Sequence, residues 1–150
     1  MKFLCDSMLG KLSKLLRMCG FDAEYCKKGL TLEDLKKIQE EGFVILTRNR
    51  KLLKFNQNLL LFNPDNDIPL LQLKMVLDYF NLKSHIKFLS RCMECNVEIV
   101  SIPKAEVKGK VPFYVYDNHE DFFQCPSCGR IYWEGSHVEK MREKLKRILK

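Results

Sequence analysis

An α/β fold with a parallel sheet, followed by a small metal-stapled module, is the architecture this sequence predicts. Three observations predict it. Strand-like and helix-like patterns alternate through the first half of the chain, which implies a parallel sheet with helices on its faces. The run Phe43–Thr47 is continuous and apolar, as expected of a strand buried on both sides. Four cysteines then arrive as two tight pairs, Cys92-Met-Glu-Cys95 and Cys125-Pro-Ser-Cys128, with 29 residues (96–124) between them.

Taken in order, Lys2–Cys5 reads as a short strand ending at Asp6. Leu9, Leu12, Leu16 and Cys19 recur at helical spacing, with Lys11, Lys14 and Arg17 outside that stripe and Gly20 as a stop. Phe21–Cys26 fits a second strand. Thr31 and Asp34 form a capping-box pattern opening a helix whose Leu32, Leu35 and Ile38 face inward, and Gly42 closes it. After the strand Phe43–Thr47 come a short basic helix (Lys51–Phe55), a strand (Leu59–Phe62), the turn Asn63–Asp67 and a helix over Ile68–Phe80. The division expected is residues 1–83 for the α/β domain and 88–150 for the cysteine module with its terminal helix.

Composition bounds the classes. At 150 residues the chain buries one ordinary core, or one core plus a small module that leans on metal. Hydrophobic residues at 46% and charged residues at 30% describe a globular protein, and no apolar run reaches the ~18 residues of a membrane span. Asp6 and the missing apolar h-region argue against a signal peptide, so a cytoplasmic location is expected. Seven cysteines are an odd count for a disulfide framework, and Cys5, Cys19 and Cys26 read as reduced core residues. Net charge is +7, of which residues 1–90 carry +5 (15 basic, 10 acidic) and residues 91–150 carry +2 (11 basic, 9 acidic). A Zn²⁺ on four thiolates adds −2 to the second part, leaving the positive charge with the first domain and favouring a polyanion partner.

In parallel sheets, ligands meet the carboxyl ends of the strands. There the sequence puts Asp6, the stretch Thr47-Arg48-Asn49, and Asp65 and Asp67, with Glu33 or Asp34 at a nearby helix start. Acids converging on such an edge hold Mg²⁺ or Mn²⁺ for phosphodiester cleavage, the ion activating water and neutralising phosphate charge. Acids also cap helices, and for Asp34 and Asp67 capping is the competing role. Asp6 differs, because it directly ends a buried strand.

At this point the chain resembles a known family, the Mut-seven C-terminal RNase domain, a PIN-like nuclease domain joined to a zinc ribbon. The resemblance spans nearly the whole chain. It is carried by Phe3–Asp22 with its strand, acid, basic helix and Gly-Phe-Asp ending, and by Val44-Ile-Leu-Thr-Arg-Asn49. In the ribbon it is carried by Phe88–Asn96, by Val111–Tyr116 and by Phe123–His137. It implies a metal-dependent ribonuclease with Asp6 at the first acidic position, Glu33 or Asp34 as the helical acid and Asp65 as a candidate for the last. Asn49 stands where the family often has Asp. An amide oxygen still ligates or hydrogen-bonds, but one negative charge is lost, which weakens Mg²⁺ binding.

Cys92, Cys95, Cys125 and Cys128 suit a tetrahedral Zn²⁺. With all four positions thiolate there is no open place for substrate water, so the ion is expected to be structural. Phe113, Tyr114, Tyr116, Phe122, Phe123, Tyr132 and Trp133 either stack on bases beside Arg130 and nearby lysines or form the module's own core, and the core reading is preferred because so small a module has few other apolar groups. His137 opens a final helix in which Met141, Leu145 and Ile148 make an apolar stripe on an otherwise basic surface. RNA, single-stranded or structured, is the expected partner, met by Lys11, Lys14, Arg17, Arg48, Arg50, Lys51, Lys54, Arg130 and His137. Two functions remain open: a ribonuclease, or a non-catalytic RNA-binding adaptor whose acidic cluster has eroded, as Asn49 suggests.

Overall fold

The computed structural model describes residues 1–52, 59–61 and 67–149. Four strands, β1 (Lys2–Cys5), β2 (Asp22–Tyr25), β3 (Phe43–Thr47) and β4 (Leu59–Leu61), form one parallel sheet in the order β2-β1-β3-β4. Between them run α1 (Gly10–Met18) and α2 (Leu32–Glu41), and α3 (Pro69–Tyr79) follows β4. Alternation along the strands serves two cores. Phe3, Cys5 and Leu46 enter one with Leu12 and Leu16 of α1 and Leu73, Val76 and Leu77 of α3. Ile45, the neighbour of Leu46, enters the other with Leu35 of α2 and Leu52. This is why β3 reads as unbroken apolar sequence. Phe3 is fully buried and meets Phe21 and Phe80 edge-on, with ring centroids 6.5 and 5.6 Å away.

Two local expectations change. Leu32, placed inward by its spacing, is 49% exposed; it opens α2, so the inward stripe begins one turn later at Leu35. The basic helix expected over 51–55 is a single 3-10 turn, Arg50–Leu52, within the described residues; the remainder of that stretch lies outside them.

The second sheet is antiparallel, β5 (Val100–Ile102), β6 (Phe122–Gln124) and β7 (Ile131–Tyr132), in the order β5-β6-β7. The long insertion folds into two short helices, α4 (Lys104–Val107) and α5 (Phe113–Asn118). Ile102, Val107, Val115 and Phe122 make a small core, with Tyr116 and Trp133 packed on it. Three of the seven aromatics, Tyr116, Phe122 and Trp133, therefore serve this core, while Phe113 and Tyr114 stand out at 78% and 69% exposure. The last helix, α6 (Ser136–Ile148), leaves this module and returns to the first core. Leu145 is buried there, with Met141, Ile148 and Leu149 against it. Among the described residues, no helix is long and apolar enough to cross a membrane.

Candidate active-site edge and metal centre

Asp6 directly follows β1, and the register Cys5↔Leu46 brings it beside Thr47, the last residue of β3. Its backbone N–H continues the sheet, donating to the Leu46 carbonyl at 2.9 Å. Its carboxylate is 7% exposed as a residue and already heavily engaged. Oδ1 accepts from the Ser7 N–H (2.8 Å) and the Leu30 N–H (3.0 Å), and Oδ2 accepts from the Thr47 hydroxyl at 2.6 Å. A carboxylate has about four lone-pair positions, so these bonds leave little spare capacity. Asp6 thus ties together the end of β1, the loop entering α2 and the end of β3.

The other expected acids sit differently. Asp34 Oδ2 accepts from the Thr31 N–H (3.0 Å) and hydroxyl (2.9 Å), while its own N–H donates to Thr31 Oγ1 at 3.3 Å, a complete capping box. Glu33 and Asp67 are exposed, and Asp65 lies outside the described residues. Among the described residues the only group of three or more His, Cys, Asp or Glu gathered closely enough to share an ion is the four cysteines. Asn49 is exposed; its Oδ1 accepts from the Lys51 N–H (3.1 Å), and its N–H donates to Thr47 Oγ1 (3.0 Å). It therefore caps the 3-10 turn after β3, a role Asp fills equally well.

Of the cations expected to meet RNA, Lys11, Arg50, Lys51, Arg130 and His137 are exposed. Lys14 is exposed too and pairs with Glu94 at 3.2 Å. Arg48 is half-buried, and its Nε has no hydrogen-bond partner among the described residues. Lys54 lies outside them. Arg17 is the exception to the expected basic face. It is buried at 8%, with Nε donating to the Ala23 carbonyl (2.8 Å) and Nη1 to the Met93 and Glu94 carbonyls (2.8 and 3.3 Å). Three carbonyl acceptors, two of them from the first cysteine turn, make it a tie between modules.

The cysteines build two turns of the same design. The N–H groups of Cys92 and Cys125 donate to the carbonyls of Val97 and Arg130, and those of Asn96 and Gly129 donate back to the carbonyls of Cys92 and Cys125. Cys95 and Cys128 each turn an N–H onto the sulfur three residues earlier, at 3.4 Å. Both turns close through a left-handed residue, Asn96 (φ 60°) and Gly129 (φ 77°), conformations that Asn and Gly tolerate. All four Sγ atoms lie within 4.8 Å of one another, and Cys92 and Cys128 are 3.8 Å apart. Sulfurs ~2.3 Å from a tetrahedral ion are separated by about this much, so the donor set fits one soft-ligand ion such as Zn²⁺.

Tyr132 supports this centre. Its hydroxyl lies 3.0 Å from Cys92 Sγ and accepts from the Met93 N–H at 3.2 Å. Burial pushes the Cys92 thiol up, but hydrogen bonds from Tyr132 and from the Cys95 and Glu94 N–H groups outweigh it and bring it down to about 7. Hydrogen bonding to Cys128, then burial, pushes Cys95 up to about 12. Four thiols this close cannot all ionise without a cation, and a bound cation removes the conflict.

Sequence reasoning missed what Asn96 does beyond its turn. Its Oδ1 accepts the Ala23 N–H (3.0 Å) on edge strand β2, and its Nδ2 donates to Asp22 Oδ1 (2.8 Å) and Glu24 Oε1 (3.0 Å). The metal turn is thereby bonded to the parallel sheet. An Asn directly after a cysteine pair signals the turn; nothing local signals its partners.

A sequence profile of the Mut7-C RNAse domain matches residues 1–145. The chain belongs to the Mut7-C RNAse domain family. No curated protein and no solved structure gives a significant match. For this Mut7-C chain the match takes in both the Asp6 edge and the four cysteines, along with most of α6.

Proposed function

We propose that this protein is a ribonuclease that hydrolyses RNA phosphodiester bonds at the Asp6 edge, with a structural zinc ion on Cys92, Cys95, Cys125 and Cys128. The observation that carries the reading is the family membership over residues 1–145, combined with Asp6 at the carboxyl end of central strand β1. A hard divalent ion, Mg²⁺ or Mn²⁺, would supply water activation and charge neutralisation there. The described residues do not assemble that ion's site by themselves. What they supply is a fixed, buried carboxylate, with exposed cations Lys11, Arg50 and Lys51 for phosphates.

A second reading, an RNA-binding adaptor without catalysis, has its own support. The Asp6 carboxylate is occupied by three structural hydrogen bonds, and Asn49 by its cap. The two are separated by incubating the zinc-loaded protein with labelled single-stranded RNA, with Mn²⁺ or after brief EDTA, beside Asp6→Asn. A thermal melt and a zinc assay on each sample show that the fold is kept. Metal-dependent cleavage lost in Asp6→Asn supports the nuclease. Salt-sensitive binding without cleavage, unchanged or improved in Asp6→Asn, supports the adaptor.

A further inference from the structure

A sizeable cleft lies at the other end of the parallel sheet. Its volume is about 760 Å³, and its walls include Phe21, Phe123, His85, Lys87, Arg91 and Glu98. Phe21 precedes β2, and residue 1 before β1 also lines the cleft, so it opens at the amino edge of the sheet. Asp6 is at the carboxyl edge, a strand length of roughly 13 Å away. The cleft is built where the two modules meet, because Phe123 belongs to β6 and Phe21 to the first core.

One wall is held in a costly shape. Gly20 (φ 92°) lets the segment 87–90 pass so closely that a Cβ there would sit 2.6 Å from the Lys87 carbonyl oxygen and 2.7 Å from Ser90 Oγ. The Lys87 N–H donates to the Cys19 carbonyl (2.8 Å), pinning that segment to the end of α1. Leu89, also in the wall, adopts φ 58°, a left-handed conformation unfavourable for a residue with a Cβ. Strain persists where the surroundings enforce it, and it concentrates at ligand sites.

Arg91 and Glu98, both in the cleft wall, stand opposite each other in an antiparallel bridge. Among the described residues, Lys87 and Arg91 form no ion pair, and Arg91 Nε is buried without an acceptor while its Nη1 donates to the Asn96 carbonyl at 2.6 Å. Two aromatic rings, two cations without an ion pair among the described residues, and the Ser90 and Ser101 hydroxyls in one cleft of this size match a base, a phosphate and a sugar.

We propose that this cleft binds a nucleoside phosphate, its phosphate on Lys87 and Arg91 and its base against Phe21 and Phe123. The ligand is either a free nucleotide or one residue of an RNA strand. Its recognition is independent of any cleavage at the Asp6 edge, so failure of the ribonuclease reading leaves it intact.

The test uses the full-length, zinc-loaded protein with CMP followed by calorimetry and a short labelled single-stranded RNA followed by anisotropy. Lys87→Glu reverses a charge that forms no ion pair among the described residues, and should weaken binding by about tenfold or more. Glu98→Gln removes the acid that faces Arg91 across the bridge and should tighten binding a few-fold, a gain that partial unfolding cannot imitate. Arg91→Lys keeps charge but loses the planar fork, and should weaken it. Lys108→Glu, an exposed lysine on the second module that does not line the cleft, controls for net charge. CMP binding that follows these variants assigns a free nucleotide or strand end; RNA binding alone that follows them assigns a strand, and either supports the site. Absence of both, indifference to Lys87→Glu and Glu98→Gln, or an equal loss in Lys108→Glu overturns it.

Discussion

The Thr47 hydroxyl donates to Asp6 Oδ2 at 2.6 Å, joining the carboxyl ends of two neighbouring parallel strands. Thr47 is fully buried, and its oxygen also accepts the Asn49 N–H at 3.0 Å. One side chain therefore holds both the strand-ending acid and the turn that follows β3. Thr47→Val keeps the shape but leaves a buried carboxylate oxygen and an amide without that partner. We expect a loss of about 1–3 kcal/mol in urea unfolding, largely restored in Thr47→Ser.

Asn49→Asp should leave stability within about 0.5 kcal/mol, because Asp accepts the same Lys51 N–H. If the Asp6 edge cleaves RNA, the added charge should raise Mn²⁺-dependent cleavage. A rise in melting temperature with Mn²⁺ in the variant alone would show the same gain in ion affinity. Unchanged metal response in both assays would exclude Asn49 as the missing ligand.

Asn96 performs two separable tasks. Asn96→Gly keeps the left-handed turn and removes all three side-chain bonds to β2, so zinc should be retained while protection of the Ala23 amide against hydrogen exchange falls. Asn96→Ala loses the bonds and also strains the turn, and should lower zinc affinity as well. Equal zinc affinity in the two variants would argue that turn strain is unimportant.

Chelation should not act on the molecule evenly. Metal binding at such sites contributes on the order of 10 kcal/mol, far more than the small cluster around Ile102, Val107, Val115 and Phe122 supplies. Amides of β5–β7 should exchange first, whereas Phe3, Leu73 and Leu77, packed in the first core, should keep their neighbours. Cooperative loss of both together would mean that the bonds made by Arg17 and Asn96 fuse the modules into one unit.

Cys5 and Cys19 give the pH dependence a sign. Burial pushes each thiol up to about 12 from 9.0. Between those values the unfolded chain has lost the proton and the folded chain has kept it. Stability from these groups is therefore complete below about pH 9 and falls as pH rises toward 12, by about 1.4 kcal/mol per unit per thiol at most. Urea unfolding on either side of pH 9 should show the decline, and Cys19→Ala should reduce it. At pH 8 both thiols should resist iodoacetamide in the folded protein.

The strand order was not written in any single segment, yet the elements were. Alternating strand and helix patterns, the two-sided apolar β3, the Thr31–Asp34 capping box and the paired cysteines are all local signals, because propensity, periodicity and ligand spacing act within a few residues. Arg17 shows the limit of such reading. Its place outside the apolar stripe marked it as a surface cation, and only the arrival of the Met93 and Glu94 carbonyls made burial affordable. α6 shows it again: sequence continuity joined it to the cysteine module, while Leu145 found the first core. Asp6 combines the two. Its position at a strand end was legible from the sequence alone; that its oxygens are taken by Ser7, Leu30 and Thr47 was decided by tertiary structure, since those donors come together only when separate stretches of chain pack edge to edge.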